Sequence, residues 1–107
     1  MTDIFIDHKQ MFLEAKGHAN SDEPGRDIVC AAVSVLTQTL VNALREERDI
    51  EFDFDIDEAE GMLRVSGVSC WGIVSRKRAE DYFNMAAIGL RAIGQNYPEH
   101  VSVKEVK

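Results

Sequence analysis

Residues 50–57 read Ile-Glu-Phe-Asp-Phe-Asp-Ile-Asp, an unbroken alternation of large apolar and acidic side chains. Successive side chains of a strand leave on opposite faces, so this run predicts a strand with Ile50, Phe52, Phe54 and Ile56 inward and Glu51, Asp53, Asp55 and Asp57 toward water. A sheet with one apolar face needs a cover. Glu58-Ala59-Glu60-Gly61 makes a turn, and residues 62–68 return as a second strand, with Leu63 and Val65 inward and Arg64 able to pair across to the acidic row.

Two helical patterns supply the cover. Val29, Val33, Leu36, Leu40 and Leu44 recur at steps of three and four and form one stripe of a helix running to about Glu47. Asp27 is its expected N-cap, accepting from the backbone N–H of Cys30. On the helical wheel Cys30 lies about a quarter turn from the stripe centre, beside Thr37 and Val41 and near Ser34. The thiol therefore borders the core. A second helix is expected from about Arg76 to Asn96, burying Ala79, Tyr82, Ala86, Leu90 and Ile93 and stopped by Pro98. Its start is crowded by Arg76, Lys77 and Arg78 against the helix dipole, with Ser75 as cap.

Residues 2–17 read as a hairpin, Ile4 and Ile6 alternating before the break at Asp7-His8-Lys9-Gln10, and Met11, Leu13 and Ala15 after it. Val101 and Val103 mark a last, edge strand. The order β-β-α-β-β-α-β favours an α+β two-layer sandwich, a mostly antiparallel sheet with both helices on one face. A chain of 107 residues, 45% hydrophobic, fits one domain spanning 1–107 that folds without disulfide or metal.

The net charge of −7 argues against a nucleic-acid surface and for basic partners. The apolar runs are read as too short for a membrane span, and Met1–Gln10 lacks the pattern of a signal peptide, so a cytoplasmic protein is expected. Cys30 and Cys70 are not spaced like a secreted disulfide scaffold. No pair among Cys30, Cys70, His8, His18 and His100 has zinc-ligand spacing, so neither metal nor other cofactor is expected. The acidic row reads as a solvated face, Arg76-Lys77-Arg78 as an exposed helix start, and Cys70 and Trp71 as packing in a connection after the fourth strand.

One pairing carries chemistry. A thiol becomes a useful nucleophile when its thiolate is favoured and a base stands beside it. The start of the first helix offers Cys30 partial positive charge and unpaired N–H groups, opposed by the charge of Asp27. His18, across the polar stretch Asn20–Arg26, is the candidate general base, since an unperturbed imidazole suits that role near neutrality. The spacing alone leaves open that both residues merely pack.

Gly17-His18-Ala19, the polar loop, and Asp27-Ile28-Val29-Cys30-Ala31-Ala32-Val33-Ser34 resemble the two-block signature of the ribosomal-processing cysteine proteases, the Prp family. The likeness extends more weakly along the chain, to Tyr97-Pro98-Glu99 and the short strand after it. The resemblance implies a homodimeric protease that removes a short N-terminal extension from a large-subunit ribosomal protein, cutting after an aromatic residue. It implies Cys30 as nucleophile, His18 as base, an apolar groove beside Cys30, and the Asn20–Arg26 loop as its movable cover. Gly17, Asp27 and Ser34 match the motif as secondary site residues. The opening hairpin is shorter and residues 51–57 more acidic than the family pattern. Two rivals remain: a non-catalytic dimeric module binding a peptide or ribosomal protein, and a phage-type relative with another protein substrate.

Overall fold

The computed structural model describes residues 1–17 and 26–107, apart from the side chains of Arg26 and Asp27. Five strands and two helices follow in the expected order: β1 (Thr2–Asp7), β2 (Phe12–Gly17), α1 (Arg26–Arg45), β3 (Ile50–Asp57), β4 (Met62–Cys70), α2 (Ile73–Asn96) and β5 (Val101–Val106). The sheet order is β3-β4-β2-β1-β5. Three of the neighbouring pairs are antiparallel, and β5 lies parallel to β1, which makes the sheet mixed.

Alternation sets the layers. Ile4, Ile6, Leu13, Ala15 and Val65 are buried on one face of the sheet, and both helices cover that face. The opposite face carries a Phe5–Phe12 edge-to-face contact and the Glu14–Arg64 ion pair. Arg64 therefore pairs toward β2, although its register also places it opposite Asp55 on the acidic strand. In the β1–β2 turn Asp7 Oδ1 accepts the N–H groups of Lys9 and Gln10, and Met11 takes φ 53°. That left-handed backbone is unfavourable for a side chain, but Met11 is only 1% exposed, so its burial offsets the strain.

Several local expectations shift. The helical backbone of α1 begins at Arg26, so Asp27 lies within the first turn and not at the cap, and the helix ends at Arg45 instead of Glu47. In a regular helix starting there the Cys30 N–H is committed to the carbonyl four residues back. The buried stripe of α1 is also wider than expected on the Cys30 side, since Thr37 and Val41 are as buried as Val29. The Ile28–Arg45 segment is long and apolar enough by length and composition to cross a bilayer, contrary to the sequence reading. Its buried residues Val29, Val33, Leu40, Val41 and Leu44 pack into the core.

Cys70 is the last residue of β4, paired with Ile50, and not part of a connection. Trp71 is 57% exposed where packing was expected. α2 begins three residues early, at Ile73, behind Gly72, which offers no side-chain cap. Ser75 is buried inside the first turn and donates its hydroxyl to the carbonyls of Trp71 and Gly72. The basic run is answered by acids: Arg76 meets Glu80, Lys77 meets Asp81 and Arg78 reaches Glu47. The main aromatic anchor of α2 is Phe83, 1% exposed, with Tyr82 only partly buried.

Candidate active site

The β2 end, the β3–β4 turn and the start of α1 meet at one end of the molecule. Gly17 N–H donates to the Gly61 carbonyl at 3.1 Å, which ties the end of β2 to the turn. Gly61 has φ +63°, and a side chain on it would collide with the Gly17 carbonyl. A Cβ on Gly17 would stand 2.6 Å from Thr2 Oγ1. Glycine at both positions lets three backbones converge.

That convergence walls one end of a groove of about 370 Å³. From α1 it is lined by Cys30, Val33, Ser34, Thr37 and Gln38, successive positions of one helix face. Ala15 and Leu63 come from the sheet, and Ile56, Asp57 and Glu58 from the end of β3 and its turn. From Cys30 to Gln38 the helix rises about 12 Å, room for three or four extended peptide residues. Thr37 is held rigidly, its hydroxyl donating to the carbonyls of Val33 and Ser34 at 2.9 and 3.1 Å.

Cys30 is half-buried at the groove wall, as a thiol bordering the core should be, and Ser34 is exposed one turn on. Gly17 reaches the same groove. His18 and the Asn20–Gly25 part of the loop lie outside the described residues, as does the side chain of Asp27. Gln38 and Ile56 escaped the sequence reading. Gln38 was findable, standing one turn beyond Ser34 on the same helix face. Ile56 was assigned to the core by alternation and is 55% exposed, because the cover stops short of the strand's end.

Cys70 has other surroundings. It is half-buried at the end of β4, where burial pushes its thiol up from the ordinary value while Arg76 pulls the other way. Both cysteines are unpaired with each other. Among the described residues no three His, Cys, Asp or Glu side chains gather into a metal-binding group.

The family model of cysteine protease Prp matches residues 1–102. The chain belongs to the Prp family of cysteine proteases. Its sequence is 36% identical over 102 residues to the ribosomal processing cysteine protease Prp of Mycoplasma genitalium, covering 95% of each chain. The fold is similar to that of a Streptococcus mutans protein, SMU.848, with TM-score 0.74 and 30% identity over 98% of this chain and 91% of that one. It is also similar to the Prp protease of S. aureus solved with a substrate peptide, with TM-score 0.78 and 22% identity over 97% and 96% of the two chains. This Prp-family chain is thus a cysteine protease of the ribosomal-processing kind.

Proposed function

We propose that Cys30 is the nucleophile of this protease and His18 its general base, and that the substrate is the N-terminal extension of a large-subunit ribosomal protein, cut after an aromatic residue. The observation that carries the reading is the place of Cys30: of the two thiols, it alone lines the groove beside the Gly17 end of β2. The apolar surface of Ala15, Val33, Leu63 and Ile56 suits a large apolar side chain next to the scissile bond.

In the mechanism, His18 takes the proton of the Cys30 thiol and the resulting thiolate attacks the carbonyl carbon. The tetrahedral intermediate collapses, the C–N bond breaks, and His18 returns the proton to the departing amine. Water, deprotonated by His18, then hydrolyses the thioester. With the Cys30 N–H committed within the helix, the oxyanion donors are N–H groups of the first turn. The S. aureus protease was solved with a covalently linked product peptide, which fits a covalent route. The protein works as a homodimer in the cytoplasm, on a basic ribosomal tail.

The test is incubation with a peptide copying that extension, read by mass spectrometry. A cut after the aromatic residue in the wild type, lost in Cys30→Ala, is expected. An uncut peptide together with no labelling of Cys30 by iodoacetamide would favour a non-catalytic peptide-binding module.

A further inference from the structure

The groove has two chemistries side by side. Its floor is apolar, whereas its rim at the β3–β4 turn is formed by Asp57 and Glu58. Among the described residues neither carboxylate takes part in an ion pair, while Glu14, Glu47, Glu80, Asp81 and Glu105 all do. Asp57 Oδ1 accepts the Glu60 N–H at 3.2 Å, so the other carboxylate oxygen remains for a further donor.

Register says where along the groove this charge stands. α1 and β3 are joined by the short segment 46–49 and run back alongside each other. From Ile50 to Asp57 the strand advances about 23 Å. Retracing that length along α1 from Arg45 takes about 15 residues and arrives at Cys30. Gly61, in the same turn, is held to Gly17 at the end of β2, so Asp57 and Glu58 belong to the Gly17 end of the groove.

We propose that Asp57 and Glu58 are specificity-determining residues that hold the cationic head of a Lys or Arg within about two residues of the scissile bond, while a neighbouring apolar side chain lies on the Ile56 floor. The occupant is a peptide that is apolar and basic at adjacent positions. This rests on Cys30 as the nucleophile only for the position of the cut; the charge selection itself is a property of the groove.

The test uses a Cys30→Ala protein and fluorescent peptides copying the ribosomal extension that differ only in Lys against Gln at each position within three residues of the aromatic one. At one such position the Lys peptide binds about fivefold tighter at low salt, the scale of a partly exposed charge pair. The preference falls to within twofold in Asp57→Asn/Glu58→Gln and shrinks with added salt. It is retained in Glu51→Gln/Asp55→Asn, which removes the same charge from the same strand outside the groove. Equal binding of Lys and Gln peptides at every position, no binding of either, or a Lys preference that survives Asp57→Asn/Glu58→Gln would overturn the proposal. Cleavage by the protein with Cys30 intact is scored separately: charge-selective binding without cleavage counts against the nucleophile assignment and supports the subsite.

Discussion

Two thiols on the same fold have opposite circumstances. Cys30 stands on the first turns of α1, at the wall of a groove where three backbones converge through Gly17 and Gly61. Cys70 stands at the far end of the sheet, paired in the ladder with Ile50, its thiol pushed up by burial. Reactivity follows from access and from what stabilises a thiolate, not from the presence of sulfur. One end of the sandwich opens into the groove that Cys30 lines, whereas at the other Cys70 is held in the ladder just ahead of the start of α2.

The largest break in this comparison is expected from Cys30→Ala, which removes peptide cleavage by a thousandfold or more on the scale of ~4 kcal/mol. Cys70→Ala keeps cleavage within about twofold. Equal losses in the two variants, measured as kcat/KM, would make both cysteines structural.

The glycines sharpen the contrast next. Gly61→Ala must push against the Gly17 carbonyl in a left-handed backbone, so it is expected to cost more than ~2 kcal/mol in urea unfolding and to lower activity by disturbing the groove wall. Gly72→Ala, at φ 104° with open space around it, carries only the backbone strain of about 1 to 3 kcal/mol and leaves kcat unaltered. A kcat loss in Gly72→Ala would link the far end to catalysis.

A smaller effect concerns pH. The Glu105 carboxyl is held down at about 2 by its hydrogen bonds from the Arg91 guanidinium, with His8 adding at 2.8 Å and burial opposing. The folded state thus binds this proton less readily than the unfolded chain. The stabilisation is present above the ordinary carboxyl value and is lost as pH falls from about 4.5 toward 2. Glu105→Gln should be less stable than wild type at pH 7, with the gap in Tm closing below pH 3. A gap independent of pH would remove the ionic explanation. Smallest of all, Trp71→Ser, at an exposed site, is expected to change stability by about 0.5 kcal/mol or less.

Local periodicity made most of the architecture legible. The Ile50–Asp57 alternation, the α1 stripe and the β1–β2 hairpin each follow from side chains a few residues apart, and each formed where expected. What escaped depends on distant partners. The parallel pairing of β5 with β1 joins the two ends of the chain, and no local pattern distinguishes it from an antiparallel edge. The start of α2 was misplaced because Ser75 looks like a cap, yet its hydroxyl bonds backward to Trp71 and Gly72 from inside the helix. Ile56 obeyed its strand's alternation but lies past the reach of the covering helix, which only the assembled layers reveal. For the site, the position of Cys30 beside the core was readable from the wheel. The converging Gly17 and Gly61 and the acidic rim were not, since they belong to different strands.

The most direct measurement is intact-protein mass spectrometry of the wild type quenched in acid during turnover of the ribosomal-extension peptide, followed by mapping of the adduct. A thioester joining the N-terminal product fragment to Cys30, absent in Cys30→Ala, is the result expected. Cleavage that persists in Cys30→Ala, or an adduct on Cys70, would contradict it.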